Sequence, residues 1–226
     1  SVGVDPGNPF PGLSSIAYNP MTNQFFAAGN NSNTIYRLGF NSSGQLVSQG
    51  AFVSGGLLSG PAGLAFDSSG NLYVANSGNR AVSGSGSSDV FVYDSSGNQI
   101  NTISLGANGN PNGLTFDTNG RLYITTTFGQ VMRYDGSNLT ALTNPGGNGP
   151  FGPNGVLVAP SGEIYVADVF GNNVLKYDAA GNEITNGLGN AWATPPLPAP
   201  PGVPVPSFPF NGISGLAFDK DGNIIV

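Results

Sequence analysis

The side chains of this sequence that could do chemistry are carboxylates, amides and hydroxyls, because the 226-residue chain contains neither histidine nor cysteine. That absence excludes Ser-His-Asp and Cys-His catalysis, His- or Cys-ligated metal sites and a histidine pH switch. Most of the 12 acids stand in predicted turns such as Asp67–Gly70. In an Asp-x-x-Gly turn the carboxylate accepts backbone N–H groups and the glycine takes positive φ. General acid–base chemistry needs a positioned pair of acids, and the pattern shows none.

The net charge of the chain limits the classes of partner that it can bind. Six basic against 12 acidic residues give a net charge of -6, and the basic residues are scattered singly. Nucleic-acid binding needs clustered positive charge, so we predict no nucleic-acid partner. An anionic membrane surface is disfavoured for the same reason, and no apolar run reaches the roughly 20 residues of a membrane-spanning helix.

An internal repeat organises the sequence. An apolar-small-aromatic triplet recurs every 42 to 60 residues, at residues 16–18, 64–66, 114–116, 156–158 and 216–218. A tight turn, a second strand, a third strand that ends in Tyr-Asp and a weaker fourth strand follow it. Four short antiparallel strands in each repeat predict an all-β fold, a β-propeller of four-stranded antiparallel blades.

The motif at residues 61–76, Pro-x-Gly-Leu-Ala-Phe-Asp-x-x-Gly-Asn-Leu-Tyr-Val-Ala-Asn, is followed by a Val-x-Val-Tyr-Asp strand at 90–94. This combination resembles the NHL repeat and is similar to the blades of the gluconolactonase and senescence-marker-protein family. The resemblance implies a propeller that closes with six blades. It says little about function, because such propellers include enzymes, sensors, RNA binders and scaffolds.

We expect a single propeller domain over residues 1–226, with about 4.5 blades present. The predicted blades cover about residues 11–53, 60–104, 111–143 and 153–185, with an incomplete blade at 211–226. Three explanations for the incomplete blade are open. The sequence is part of a longer chain, a neighbouring subunit supplies the missing strands through an open blade edge, or the ring is smaller than six blades.

One end of the predicted blades is the candidate binding face. Both long insertions fall there, the Gly-Ser-rich residues 77–88 and a Pro-rich insertion loop at 187–210, and insertions on one face often mark a binding face. The candidate site residues at that end are Asn112 and Asn154 at the pore, the loop residues Asn76 and Asp168 beside it, and the aromatic residues Phe128, Phe170 and Trp192. Two alternatives are open: the rings pack between blades, and the asparagines cap turns.

The family resemblance also implies a divalent metal over the pore, held by acids and asparagines of the first strands. Asn112 and Asn154 match two of those positions, whereas Ser14 and Ser214 stand where Glu and Asp are needed. Two amide oxygens alone make a poor site for a hard cation. We therefore predict no metal ligand and no cofactor, with calcium or another divalent metal at the pore as the alternative.

These observations favour a non-catalytic propeller that acts as a binding or scaffold module, with no catalytic residue. Its predicted partner is a protein, a glycan or a further copy of the chain. The low charged fraction of 8% with abundant Asn, Ser, Thr and Gly predicts a secreted or cell-surface, extracellular protein. The alternative is a metal-dependent lactonase or hydrolase of the gluconolactonase-like type.

Overall fold

A computed structural model describes residues 12–78, 88–143, 152–169, 171, 173–184 and 214–225. The chain divides into two compact units, Ser1–Phe116 and Asp117–Val226. Short antiparallel strands joined by tight turns make up both units, and the helical structure of the described residues is a single 3-10 turn, Gly106–Asn108. The prediction of an all-β fold is confirmed.

Unit 1 contains two complete four-stranded sheets. The first has the order β1-β2-β3-β4 and the second β5-β6-β7-β8, so each strand pairs with its neighbour in sequence. The strands are β1 (Leu13–Asn19), β2 (Gln24–Gly29), β3 (Thr34–Phe40), β4 (Leu46–Ser54), β5 (Pro61–Phe66), β6 (Leu72–Asn76), β7 (Asp89–Tyr93) and β8 (Gln99–Ser104). β9 (Pro111–Phe116) is the first strand of a third sheet of order β9-β10-β11-β12, and the division between the units follows it.

Unit 2 contains the remaining strands: β10 (Leu122–Thr126), β11 (Val131–Tyr134), β12 (Leu139–Thr143), β13 (Pro153–Val158), β14 (Ile164–Asp168), β15 (Asn173–Tyr177), β16 (Ala217–Phe218) and β17 (Ile224–Ile225). β13, β14 and β15 form a three-stranded sheet, and a bridge between Tyr177 and Glu183 extends it. β16 and β17 form a hairpin. The predicted repeat of four-stranded antiparallel blades is confirmed.

Several of the tight turns, both after first strands and after third strands, are stabilised within five consecutive residues. Asp67 Oδ1 accepts the backbone N–H groups of Ser69 (2.9 Å) and Asn71 (2.8 Å), and Asp67 Oδ2 accepts a bond from Asn71 Nδ2 (2.8 Å). Gly70 has a φ of +82°, which only glycine adopts freely. The same three bonds recur in the turns that begin at Asp94, Asp178 and Asp219.

The core lies between successive sheets, where one pair of positions recurs. One equivalent residue in each second strand is called here the second-strand position, and it is held by Phe26, Tyr73, Tyr123, Tyr165 and Ile225. The last or next-to-last residue of each first strand is called the first-strand position, and it is held by Tyr18, Phe66, Phe116, Val158 and Phe218. In unit 1 the rings of Phe26 and Phe66 lie 5.1 Å apart, and those of Tyr73 and Phe116 lie 5.0 Å apart. Such ring pairs add about 0.5–1.5 kcal/mol beyond area burial.

The glycine of the Pro-x-Gly motif is explained by close approach rather than by backbone conformation. A Cβ on Gly63 would lie 3.1 Å from Gly113 Cα and 3.1 Å from Leu114 N, and it would meet the Asn112 carbonyl oxygen as well. In unit 2 a Cβ on Gly155 would lie 2.9 Å from the Ser214 carbonyl oxygen. Glycine at this position therefore lets neighbouring first strands come into backbone contact.

Candidate functional site

Three polar residues occupy the last position of a second strand and are buried. Asn76 ends β6, Thr126 ends β10 and Asp168 ends β14. Asn76 Oδ1 accepts the Ser59 N–H at 2.6 Å, and its Nδ2 donates to the Leu57 carbonyl at 3.3 Å. These bonds fix the segment that leads into the first strand of the same sheet. The role of Asn76 as a binding residue stays a prediction.

Asp168 has a similar place in unit 2. Its Oδ1 accepts the N–H of Gly152 at 3.3 Å, and the Val169 N–H donates to the Gly152 carbonyl at 3.1 Å. The carboxylate is therefore anchored at the start of β13 in the way that the amide of Asn76 is anchored before β5. Its predicted role in binding is untested.

Hydroxyl groups bond to the first strand of the next sheet. In unit 1, Ser14 Oγ donates to the Pro61 carbonyl at 2.8 Å, and Ser77 Oγ donates to the Pro111 carbonyl. In unit 2, Thr125 Oγ1 donates to the Asn154 carbonyl at 2.8 Å. Sequence reasoning did not assign these bonds. Ser14 is the second residue of β1, whereas Thr125 and Ser77 lie at the end of a second strand or directly after it, so no single sequence position marks these bonds.

The two predicted pore asparagines are half-buried and hold equivalent positions. Asn112 is the second residue of β9 in unit 1, and Asn154 is the second residue of β13 in unit 2. The structure thus places both near the start of a first strand, as the sequence predicts. Their function as ligand-binding residues is untested.

Phe128 is the one candidate aromatic residue within the part of the chain that the structure describes, and it is strongly exposed. It lies in the turn from β10 to β11, and 71% of it is accessible to solvent. Two backbone bonds of 3.0 Å, Thr126 N–H to Gln130 O and Gly129 N–H to Thr126 O, hold that turn. The turn therefore presents the ring on a defined backbone. Phe170 and Trp192 lie outside the described residues.

The acids of the turns are strongly hydrogen-bonded. The Asn98 side chain, followed by its backbone N–H, lowers the pKa of Asp94, and the Asn182 and Asn223 bonds lower the pKa of Asp178 and Asp219 in the same way. Elsewhere, Glu163 forms a 2.6 Å ion pair with Lys176 on the surface of unit 2. These carboxylates are held in their charged form by local partners.

Within the described ranges, no three Asp or Glu residues lie close enough to hold a metal ion. Ser14, at the position where the resemblance implies an acidic metal ligand, donates its hydroxyl proton to backbone carbonyls of the neighbouring strand. Ser214 is exposed and brings no carboxylate. The described residues at these positions therefore do not fit a hard divalent cation, which prefers several carboxylate oxygens.

The family of the chain follows from a comparison of its sequence with known families. Residues 9–128, just over half of the chain, match the SMP-30/Gluconolactonase/LRE-like region. The chain belongs to this family. The predicted similarity to gluconolactonase-type propellers is thereby confirmed. No curated protein matches the sequence.

Solved propellers share the fold of this family member at low sequence identity. A virginiamycin B lyase from Staphylococcus aureus aligns with a TM-score of 0.66 and 14% identity, over 96% of this chain and 63% of that one. A chain of a nidogen/laminin complex aligns with a TM-score of 0.58 and 20% identity, over 76% of this chain and 62% of that one. The present chain thus spans somewhat under two thirds of the length of either structure. Its described residues contain no helix long and apolar enough to cross a membrane.

Proposed function

We propose that this family member is a non-catalytic binding and scaffold module, secreted or held at the cell surface, and that it binds a protein partner through the Phe128 end of unit 2. The observation that carries the proposal is the exposed ring of Phe128 on a turn closed by two backbone bonds. Aromatic anchors on a preorganised backbone lose little entropy on binding and often dominate an interface.

The surroundings of Phe128 support a binding role. Thr125, three residues before it, bonds to the carbonyl of Asn154, so the half-buried Asn154 lies at the same end of unit 2. An exposed apolar ring and an amide side chain at the same end of the unit together offer both burial and hydrogen bonding. Protein interfaces commonly combine a buried aromatic residue with such polar contacts.

The hydrogen bonds and the ion pair that the carboxylates form support the non-catalytic part of the proposal. The turn aspartates accept two backbone N–H groups each, Asp168 is bonded to Gly152, and Glu163 is paired with Lys176. An acid or base in catalysis must exchange its proton near the working pH. Local bonds that lower the pKa of Asp94, Asp178 and Asp219 oppose that role.

The test compares the wild-type chain with two matched variants. Phe128→Ala removes the proposed anchor, and Phe40→Ala removes another exposed phenylalanine, 64% accessible, in unit 1. Purified extracellular-matrix glycoproteins, laminin among them, and a glycan array serve as probes. We expect protein binding that Phe128→Ala weakens about 10- to 100-fold and Phe40→Ala leaves unchanged. Equal loss in both variants, glycan binding alone, or no binding would contradict the proposal.

Family membership favours one second candidate, a metal-dependent lactonase or hydrolase. Calorimetric titration with calcium, zinc and magnesium, together with a lactone-hydrolysis assay, separates it from the binding module. Metal binding tighter than millimolar and hydrolysis, both lost in Asn112→Ala and Asn154→Ala, would favour the enzyme. Absence of both would leave the binding module as the supported function.

A further inference from the structure

The carboxylates of unit 2 differ in how fully their charge is compensated. Most of them form an ion pair of 2.6–2.7 Å, or accept two backbone N–H groups and a side-chain N–H group within a turn. Among the residues that the structure describes, Asp168 forms neither kind of contact. Its hydrogen bond from the Gly152 N–H to Oδ1 is 3.3 Å long, and no described donor bonds to its Oδ2.

The Asp168 carboxylate is also buried. Asp168 is 3% accessible to solvent, whereas 62% of the Asp221 side chain is accessible. A buried charge without a counter-charge is costly, and an opposite charge that binds to it recovers part of that cost. The negative charge also acts inside unit 2, because burial, followed by the charges of Glu183 and Asp168, raises the pKa of Tyr177. Asp168 is therefore an anionic group that lacks a cation.

A glycine brings this carboxylate close to the surface of the turn between β14 and β15. A Cβ on Gly171 would meet Asp168 Oδ2, and it would lie 2.9 Å from Asp168 Cγ and 3.0 Å from Asn173 Nδ2. Gly171 itself is exposed, so Oδ2 lies directly behind the surface of the turn. Asn173 Oδ1 is buried without a hydrogen-bond partner and therefore also lacks a donor. We call Asp168, Gly171 and Asn173 the Asp168 site.

The access and the charge of the Asp168 site favour one class of ligand. Because so little of Asp168 is accessible, a compact ammonium group fits better than a planar guanidinium group. A hard divalent cation would need further carboxylate oxygens. Unit 2 has eight acidic and four basic residues, and this excess of negative charge attracts a basic partner.

The Asp168 site lies at the end of unit 2 that carries Phe128. Asp168 pairs with Pro153 in the sheet, and the next residue, Asn154, accepts the hydroxyl proton of Thr125 through its carbonyl oxygen at 2.8 Å. Thr125 ends three residues before Phe128 in the same chain segment. A partner that covers the Phe128 ring therefore meets a negative charge at the same end of the unit.

We propose that the Asp168 site binds a primary ammonium group, which the protein partner supplies as a lysine side chain. The ammonium group donates a charge-assisted hydrogen bond to Asp168 Oδ2, and such bonds are about twice as strong as neutral ones. This inference rests on the proposed function, since it takes the Phe128 end of unit 2 as the surface that binds the partner. It adds the chemistry by which that surface selects the partner.

The first experiment follows the amide signals of the full 226-residue chain by NMR during titration with Nα-acetyl-lysine methylamide. We expect the Gly152 amide signal to shift with a dissociation constant of about 1–10 mM, because this N–H bonds to the same carboxylate. The analogue with an acetylated side chain, which carries no charge, should cause no shift. Asp168→Asn should raise the dissociation constant at least about tenfold, and Gly171→Ala should also weaken binding because its Cβ would meet Oδ2.

Asp221→Asn is the matched control. It removes the same charge from unit 2 at an exposed position and should bind the lysine probe like the wild type. Thermal denaturation without ligand gives a second readout. Asp168→Asn keeps an oxygen for the Gly152 N–H and should not lower Tm, whereas a lower Tm would mean that the chain already compensates the charge, and would refute the proposal.

The second experiment separates this inference from the proposed function. It uses laminin with native or chemically acetylated lysines as the probe. Acetylation and Asp168→Asn should each weaken binding, and the two losses should not add because they remove the same contact. Protein binding that needs Phe128 but is unchanged by Asp168→Asn would overturn the lysine contact and leave the proposed function standing. Binding of the lysine probe without any protein binding would support the ammonium site and contradict the proposed function.

Three results of the NMR titration would overturn the proposal. They are no shift of the Gly152 signal, an equal shift with the acetylated analogue, and an equal loss of binding in Asp221→Asn. A response to calcium chloride but not to the lysine probe would assign the site to a metal ion and would likewise refute the ammonium site. Circular dichroism checks that each variant is folded.

Discussion

The close approach of neighbouring first strands makes Gly63 the most informative position for substitution. Gly63→Ala adds one methyl group whose carbon would lie 3.1 Å from Gly113 Cα and 3.1 Å from Leu114 N. Carbon atoms prefer separations of about 3.5–4.0 Å. The atoms in the way belong to the backbone of β9, which cannot rotate aside like a flexible side chain. Because the Asn112 carbonyl oxygen lies closer still to the added methyl group, β5 and β9 must move apart by about an ångström, with loss of packing along their length.

The cost follows from that displacement. Overpacking of a core by one methyl group typically costs about 1–3 kcal/mol. The replacement of glycine by alanine within a strand returns about 0.5–1 kcal/mol through lower chain entropy. Because the clash is with backbone atoms, we place the overpacking cost in the upper part of that range, at about 2–3 kcal/mol. The expected net loss in the free energy of unfolding is then about 1–2.5 kcal/mol, which corresponds to a fall in Tm of about 2–10 °C for a chain of this size.

Gly215 supplies the matched control. It holds the equivalent position before β16, its φ is not in the left-handed region, and a Cβ there meets nothing within 4 Å. Gly215→Ala should therefore leave the free energy of unfolding within about 0.5 kcal/mol of the wild-type value. Thermal and urea denaturation followed by circular dichroism, at a concentration where the chain is monomeric, measures both. An unchanged Gly63→Ala protein, or equal destabilisation by Gly215→Ala, would refute the close-approach argument.

Three further predictions concern single contacts. Asn76→Ala removes the hydrogen-bond partners of the Ser59 N–H and the Leu57 carbonyl. We expect the free energy of unfolding, measured by urea denaturation, to fall by about 2–3 kcal/mol. The control Asn101→Ala, at an exposed position, should change it by less than about 0.5 kcal/mol. Ile35→Val, at a fully buried position, should cost about 0.5–1.5 kcal/mol by the same measurement. The lowered pKa values of the turn aspartates predict stability that is present above about pH 4 and lost as the pH falls through their folded-state values. Acid titration of Asp178→Asn should show a smaller loss than wild type, and an identical acid transition would count against this cause.

The turns and strands could be predicted because their causes are local. Asp67 and Gly70 stand three residues apart, and the sequence alone predicts the carboxylate bond to the N–H two residues on, which the structure contains. The further bonds from Asn71 were not predicted, although the Gly-Asn pair that provides them recurs in the sequence. Strand order also followed from the repeat, because consecutive short strands joined by tight turns pair with their neighbours.

The contacts of the candidate site were harder to predict from the sequence because they join residues that are far apart along the chain. Glycine is needed at position 63 because the backbone of Asn112–Leu114, about fifty residues away in sequence, approaches it closely. The Pro-x-Gly motif alone does not show which part of the chain makes this approach. Asn76 and Asp168 were predicted as binding residues from their place in loops on the candidate binding face, and the structure places each at the last position of a second strand. The structure adds their buried bonds to Ser59 and Gly152, which no spacing rule shows.

The self-contained bonding of the Asp-x-x-Gly-Asn turns has a consequence for how the chain folds. The three bonds of the Asp67 turn close within five residues, whereas the contact between Phe26 and Phe66 must join positions 40 residues apart. Short loops close in nanoseconds to microseconds, and distant contacts wait on a larger entropy cost. We therefore expect the hairpins to form first and independently. The rate-limiting step is then the docking of one finished hairpin set on the next, and substitutions at Phe26 or Phe66 should slow folding more than substitutions in the turns.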